Sequence, residues 1–142
     1  MILPDVNVLV YAHRRDVDRH AEYRRWLEHA IAGPAPFGFS DLVASGFLRV
    51  VTHPRVFRQP TPFDEALAFI AVLRDRPNRV PVEPGPRQWG IFQDLCVKAR
   101  ARGNLVPDAW LAALAIESGS EWITTDGDFQ RFPGLVSRHP LQ

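Results

Sequence analysis

The sequence has 142 residues, 46% of them hydrophobic, and we expect residues 1–142 to form a single domain with a sizeable core. The formal net charge of +1 does not by itself indicate a nucleic-acid-binding protein, and the single cysteine excludes an intrachain disulfide. No apolar run is long enough to cross a membrane. The N-terminal apolar stretch contains Asp5 and lacks the basic region and cleavage site of a signal peptide, so we expect a cytoplasmic protein.

Short apolar runs alternate with segments of helical periodicity along the chain. Strands are predicted at residues 2–3, 79–83, 121–125 and near 135–136, and residues 36–39 are predicted to form a turn or a short strand. Helices are predicted at 6–14, 19–32, 41–52, 63–76, 87–102 and 108–118. Such alternation is typical of an α/β fold in which helices cover both faces of a parallel sheet.

Four aspartates stand where an apolar, strand-like run gives way to a turn or to the start of a helix: Asp5, Asp108, Asp126 and Asp128. In open parallel α/β sheets, ligands bind outside the carboxyl ends of the strands. Carboxylates that converge there repel one another unless a cation joins them, and their oxygens suit Mg²⁺ or Mn²⁺. The pattern therefore predicts a divalent-metal site, and metal-assisted phosphodiester hydrolysis is the first reaction to consider.

Each acid also has a simpler structural interpretation. Asp5 can cap the helix that follows it, and Asp108 can stabilise the N-terminus of its own helix. The Asp-Gly-Asp sequence at 126–128 is ordinary turn chemistry, and we favour Asp126 as the acid nearer the metal. Asp41 is either a further ligand or a favourable acid in the first turn of a helix.

Other polar side chains near these acids are candidates for supporting roles. Asn7 can orient Asp5 or stabilise the turn, and Thr124 and Thr125 can hydrogen-bond to a carboxylate or to a phosphate. Several arginines can contact a nucleic-acid backbone, although each alone can equally be a solvated surface residue. These arginines are Arg14, Arg15, Arg49, Arg55 and Arg58.

Four segments carry a family resemblance: PDVNVLVYAHR, SGFLRVVTHPRVF, VPDAWLAALAIESG and ITTDGDFQRFPG. Together they resemble the PIN domain, and more narrowly the VapC toxins of type II toxin–antitoxin systems abundant in mycobacteria and other actinobacteria. The resemblance implies a PIN-like three-layer α/β/α fold with a central parallel sheet. It implies a Mg²⁺- or Mn²⁺-dependent endoribonuclease that inhibits translation, with tRNA or rRNA as candidate substrates. It also implies neutralisation by a VapB-type antitoxin, and a homodimer.

By position, Asp5 and Asp108 match the principal metal-binding acids of the family, and Asp126 matches the acid after the last long strand, with Asp128 nearby. The sequence departs from the family at one point. Many PIN domains have a glutamate in the helix before the leucine–arginine stretch, where this chain has Gly46. The number of metal ligands is therefore open, and Asp41 is the candidate substitute.

The resemblance leads to a mechanism and to a mode of inhibition. Asp5 and Asp108, helped by Asp126, would hold one or two metal ions, and water would attack the scissile phosphate in line. An arginine of the antitoxin could occupy the carboxylates. A partner helix could lie in a groove lined by side chains that are more often core than interface: Trp26, Phe47, Val56 and Phe57.

Other classes of protein also place acids at strand ends. A haloacid-dehalogenase-type phosphatase needs a second aspartate two residues after Asp5, where Asn7 stands. A receiver domain needs a lysine at a late strand end, whereas the only lysine, Lys98, lies in a helical segment. A non-catalytic PIN-like binding module is a further alternative, since the glutamate is missing. Metal-binding calorimetry and an RNA-cleavage test of Asp5→Asn separate that module from an enzyme.

Overall fold

The computed structural model describes all residues, 1–142, and contains five short strands and six α-helices. The strands are β1 (Ile2–Pro4), β2 (Phe37–Phe39), β3 (Arg79–Pro81), β4 (Glu121–Ile123) and β5 (Ser137–Arg138). The helices are α1 (Val6–His13), α2 (His20–Ala32), α3 (Asp41–Val51), α4 (Phe63–Arg74), α5 (Gln88–Ala99) and α6 (Leu105–Ser118), with a 3₁₀ helix at Gly127–Arg131. None of the helices has both the length and the apolar character that a membrane span requires.

The five strands form one sheet in the order β3-β2-β1-β4-β5, and each neighbouring pair is parallel. Strand β1 lies at the centre, with Ile2 opposite Phe37 of β2 on one side and Glu121 of β4 on the other. All carboxyl ends therefore lie at the same edge, and the residues that follow β1 and β4 emerge side by side. The predicted α/β fold with a central parallel sheet is confirmed.

The sheet is covered by helices on both faces, which explains why strands of only two or three residues suffice. All three residues of β2 are buried, and Leu3 of β1 and Trp122 of β4 are fully buried. A cluster of 27 buried hydrophobic residues joins the sheet to the helices. Strands β1 and β2 are apolar along their whole length, as is typical of all-parallel sheets, whereas β4 begins with the partly exposed Glu121.

The start of α6 differs from the prediction. Residues 105–107 were expected to be an apolar run before a helix, but they form the first turn of α6. Pro107 fits there because a first-turn N–H has no partner within the helix, and Leu105 is buried against the core. Asp108 therefore lies within the first turn of a helix and does not follow a strand.

Several other predicted boundaries differ by two or three residues, among them the ends of α4 at Arg74 instead of residue 76 and of β3 at Pro81 instead of residue 83. Helix α5 ends at Ala99, because Arg100 adopts the left-handed conformation with φ of 51° and its N–H closes the last turn. Strand β4 ends at Ile123, two residues earlier than predicted, and β5 lies at Ser137–Arg138, two residues later. These shifts leave the order of the elements unchanged.

Gly38 provides a test of the sheet packing. A Cβ at this position would lie 2.9 Å from Val82 Cγ2 and 3.2 Å from the Ile2 carbonyl oxygen. We expect Gly38→Ala to lower the free energy of unfolding by about 1–3 kcal/mol in urea titrations, because the core is overpacked. The control is Gly90→Ala in α5, which meets no atom within 4 Å and should be stabilising by roughly 0.5–1 kcal/mol. Equal stabilities of the two variants would contradict this packing.

Candidate functional site

Asp5 is a buried carboxylate at the end of the central strand, with only 5% of its surface exposed. It is the N-cap of α1, and its Oδ1 accepts the Val6 N–H at 2.7 Å. Its Oδ2 accepts the Thr124 hydroxyl at 2.6 Å. Burial raises the pKa of Asp5 to about 6, although both hydrogen bonds favour the ionised form. Asp5 is thus both a helix cap and an acid that faces a site.

Thr124 joins the ends of β1 and β4. Its hydroxyl donates to Asp5 and accepts the N–H of Asp126 at 3.0 Å. The amide oxygen of Asn7 accepts the N–H of Thr125 at 3.4 Å, so Asn7 supports the loop after β4 and forms no side-chain hydrogen bond with Asp5. The predicted contact between Thr124 and a carboxylate is present. This network fixes the loop that carries Asp126 relative to Asp5.

Asp5, Asp108 and Asp126 line one pocket of about 770 Å³, which we call the acidic pocket. Desolvation, together with the charges of Asp126 and Asp128, raises the pKa of Asp108 to about 6. Asp126 caps the 3₁₀ helix by accepting the N–H of Asp128 at 2.9 Å. Asp128 is exposed and does not line the pocket.

The chemistry of these donors fits a divalent cation. Hard carboxylate oxygens converge on one pocket, and none of the three acids forms an ion pair with a basic side chain. The side chains as placed do not form a ready-made cluster of three metal ligands. The acidic pocket is therefore a site of uncompensated negative charge, whose carboxylates would have to draw closer to share a cation.

Gly46 lies in the wall of the acidic pocket, where the family resemblance leads one to look for a glutamate. A Cβ on Gly46 would lie 2.8 Å from Val6 Cγ2, so Val6 fills the space that a side chain would need. The site therefore lacks an acid from α3 at this point.

Asp41 does not replace that acid. Its side chain is exposed, lies outside the acidic pocket and pairs with Arg74 of α4. Asp41 is thus a first-turn residue that links two helices, and the structure does not bring it together with Asp5 and Asp108.

The predicted backbone-binding arginines lie in different places. Arg49 of α3 is exposed and lines the acidic pocket. Arg14 lines a separate pocket together with Arg15 and Arg58. Arg55 is exposed and lines neither pocket. Only Arg49 is therefore placed beside the acids.

The predicted apolar groove is not formed as a unit. Phe47 is fully buried in the core, and Trp26 packs against the core from α2. Val56 and Phe57, from the loop after α3, do line the acidic pocket, and Val56 is 54% exposed. Half of the predicted groove is therefore core, and the other half belongs to the acidic pocket.

The apolar wall of the acidic pocket was not predicted. It includes Val10 and Tyr11 of α1 and Leu111 of α6. Val10 and Tyr11 stand three and four residues after Asn7, and Leu111 stands three residues after Asp108. Residues at these spacings share a helix face, so helical periodicity counted from the polar residues would have placed them in the pocket.

Comparisons with known proteins find relatives over nearly the whole chain. Residues 2–135 match the PIN domain family. The chain is 44% identical over 141 residues to ribonuclease VapC43 of Mycobacterium tuberculosis, covering 99% of this chain and 96% of that protein. It is 41% identical over 140 residues to ribonuclease VapC25 of the same species, covering 99% of each.

Solved structures with the same fold are more distant in sequence. VapBC2 from Rickettsia felis, bound to a DNA fragment from their promoter, has a TM-score of 0.70 at 18% identity and covers 98% of each chain. Mycobacterium tuberculosis VapC20, described as a sarcin–ricin loop cleaving toxin, has a TM-score of 0.68 at 17% identity, with 95% of this chain and 98% of that chain covered.

The raised pKa values predict how the metal-free protein responds to pH. Between the ordinary aspartate pKa of 3.8 and about 6, folded Asp5 and Asp108 bind more protons than the unfolded chain, so these groups make stability fall as pH rises. In EDTA, we expect Asp108→Asn to be more stable than the parent at pH 7.5, and this advantage to shrink towards pH 4.5. Urea titrations of the parent and of Asp108→Asn at several pH values measure the free energy of unfolding of each.

Asp41→Asn is the control for this experiment, because it removes an exposed aspartate outside the pocket. Asp41→Asn should not show the pH-dependent gain in stability over the parent. If Asp108→Asn is no more stable than the parent, or if its advantage in stability is the same at every pH, the raised pKa of Asp108 from burial and neighbouring acids is contradicted.

Proposed function

The chain belongs to the PIN-domain family and, within it, to the VapC ribonucleases, and we propose that it is the endoribonuclease toxin of a toxin–antitoxin system. We further propose that it hydrolyses RNA phosphodiester bonds with Mg²⁺ or Mn²⁺. The observation that carries the proposal is the convergence of Asp5, Asp108 and Asp126 in one pocket without a basic partner. The homodimer and the cytoplasmic location stay predictions.

Asp5, Asp108 and Asp126 are the residues that would hold the metal. A divalent cation bound there lowers the pKa of a water molecule and stabilises the charge that develops on the phosphate. Asp5 supplies a fixed oxygen, because the Val6 N–H and the Thr124 hydroxyl hold its two oxygens in place. Asp108 is partly exposed and makes no side-chain hydrogen bond, so it is free to adjust.

Other residues of the pocket would position the RNA. Arg49 carries a positive charge on the same wall as Gly46 and can contact a phosphate next to the acids. Tyr11 and Trp110 provide aromatic surface in the pocket, on which an unpaired base can stack. A single-stranded loop, whose bases can be splayed out, suits this combination.

Substitution of the acids tests the proposed activity. We expect Asp5→Asn and Asp108→Asn each to reduce cleavage of total bacterial RNA in Mg²⁺ by at least about 100-fold, because each removes a charged metal ligand. The fold should survive, since an amide oxygen at position 5 can still accept the Val6 N–H. EDTA should abolish cleavage, and added Mg²⁺ or Mn²⁺ should restore it.

The matched control is Asp41→Asn, which removes the same charge from an exposed site outside the pocket. It should cleave RNA at the parental rate. Parental cleavage by Asp5→Asn or Asp108→Asn, or cleavage that continues in EDTA, would contradict the proposal.

One observation favours a second candidate function. Val6 occupies the space of a side chain at Gly46, so the acidic pocket has one acid fewer than many PIN domains have. A non-catalytic PIN-like binding module would tolerate that loss. Calorimetry with Mg²⁺ and Mn²⁺ separates the two candidates: the enzyme takes up metal in a manner that Asp108→Asn abolishes, and the module does not.

We also propose that a VapB-type antitoxin covers the acidic pocket. Solved relatives of the fold include VapBC assemblies. Exposed apolar side chains flank the acids, among them Leu42 at 49% and Val56 at 54% exposure. An arginine of the antitoxin would pair with carboxylates that have no basic partner within this chain.

Hydrogen exchange on the complex tests this arrangement. We expect the backbone amides of residues 53–62 to exchange more slowly when the antitoxin co-expressed from the same operon is bound, because Val56 and Phe57 of this loop line the pocket. The β3–α5 loop at 82–87 contributes nothing to the pocket and serves as the internal control. Unchanged exchange at 53–62 would contradict an antitoxin that covers the pocket.

A further inference from the structure

A second pocket, which we call the arginine pocket, lies beside the acidic pocket and has a volume of about 950 Å³. No hydrophobic residue lines it. Its charged residues sum to +2 if His13 is neutral, from four arginines less two acids: Arg14, Arg15, Arg24, Arg58, Asp16 and Glu65. The whole chain carries only +1, so positive charge is concentrated here. Such a pocket favours an anionic ligand.

Arg14 builds the wall of this pocket. Its guanidinium donates to both carboxylate oxygens of Asp16, at 3.0 and 2.7 Å. It also donates to the Gln59 carbonyl oxygen at 2.8 Å and to the Thr61 hydroxyl at 3.1 Å. These contacts fix the loop after α3 against the end of α1. Arg14 therefore has a structural role and few donors left for a ligand.

Arg15 and Arg58 have their donors free. Both side chains are exposed, and neither forms a hydrogen bond or an ion pair within the chain. Arg24 is engaged on one side, where its Nε pairs with Glu28 at 2.8 Å. A guanidinium group with free N–H donors can bind two oxygens of one phosphate. Two such groups at the mouth of one pocket match a phosphodiester backbone.

The linings of the two pockets meet at one contact. The Arg14 guanidinium lies 4.1 Å from the centre of the Phe57 ring, and Phe57 lines the acidic pocket while Arg14 lines the arginine pocket. Helix α1 carries Asp5 as its N-cap and Arg14 as its C-cap. Nine residues at 1.5 Å per residue place these two backbone positions about 13 Å apart, which a short stretch of RNA backbone can bridge.

The acidic pocket by itself repels RNA, because its unpaired carboxylates face a polyanion. Basic groups outside it are needed for affinity, and Arg49 is the only arginine that lines it. We propose that the arginine pocket is a subsite for RNA backbone phosphates a few nucleotides from the scissile bond, with Arg15 and Arg58 as its binding residues. This inference rests on the proposed ribonuclease function.

Salt-dependent binding tests the subsite without requiring cleavage. The probe is a fluorescein-labelled single-stranded oligouridine, and the protein is the full chain with Asp108→Asn, so that the probe stays intact. In this background, Arg15→Ala and Arg58→Ala should each weaken binding by roughly three- to tenfold at low salt. Each should also reduce the slope of log K against log salt by about 0.7, as expected for the loss of one phosphate contact.

The matched control is Arg25→Ala, which removes the same charge from an exposed position on α2 that lines neither pocket. Arg25→Ala should leave the slope of log K against log salt unchanged and should change the affinity very little. Circular dichroism checks that all variants fold, as expected because Arg15 and Arg58 are exposed and their side chains form no hydrogen bond or ion pair within the chain.

The outcomes separate the subsite from the proposed function. If Arg15→Ala and Arg58→Ala behave like Arg25→Ala while the parent cleaves RNA, the subsite is wrong and the ribonuclease function stands. If the binding differences appear but the parent never cleaves RNA, the ribonuclease function is wrong, and only the phosphate-binding role of Arg15 and Arg58 stands. Absence of any oligouridine binding overturns the subsite. Normal RNA binding with lost affinity for the antitoxin also overturns it, because the pocket would then bind an acidic protein segment.

Discussion

The burial of Asp5 at the end of the central strand is the constraint on which the rest of the site depends. The Asp5 N–H bonds to the Ile123 carbonyl oxygen at 2.8 Å and extends the pairing of β1 with β4. Its carboxylate is then held between the Val6 N–H and the Thr124 hydroxyl. No basic side chain neutralises it, and Asp108 and Asp126 add their repulsion. Under the proposed function, a cation would compensate this charge, and the protein would give up stability of the metal-free fold for function.

Charge is divided between two neighbouring pockets. The carboxylates lie at the carboxyl edge of the sheet, and free arginines lie about one helix length away, at the other end of α1. The loop at residues 53–62 contributes to both pockets, and the Arg14–Phe57 contact marks the boundary between them. Under the two proposals, a polyanionic substrate would be held by the arginine pocket while its phosphodiester bond is presented to the acidic pocket. The net charge of +1 does not reveal this separation of negative and positive charge.

The local sequence pattern predicted the sheet and part of the site. The rest of the site depends on contacts between residues that are far apart in the sequence. Asp5 and Asp126 follow parallel strands, so the common carboxyl edge brought them together as expected. The pairing of Asp41 with Arg74 joins residues 33 positions apart, which periodicity does not reveal. The sequence predicted that Thr124 can bond to a carboxylate, but not that this carboxylate belongs to Asp5, 119 positions away. The first turn of α6 was missed because Pro107 reads as a helix boundary, although proline is compatible with that position.

The most direct test of the central claim is anomalous diffraction from crystals of the full chain soaked in Mn²⁺. If Asp5, Asp108 and Asp126 form a metal site, the anomalous peak lies among their carboxylate oxygens, at about 2.0–2.2 Å as for other small divalent ions, and disappears in Asp108→Asn crystals. A peak elsewhere, or a peak in the acidic pocket that persists in Asp108→Asn, would contradict this assignment. So would the absence of any peak in crystals of a preparation that cleaves RNA in Mn²⁺.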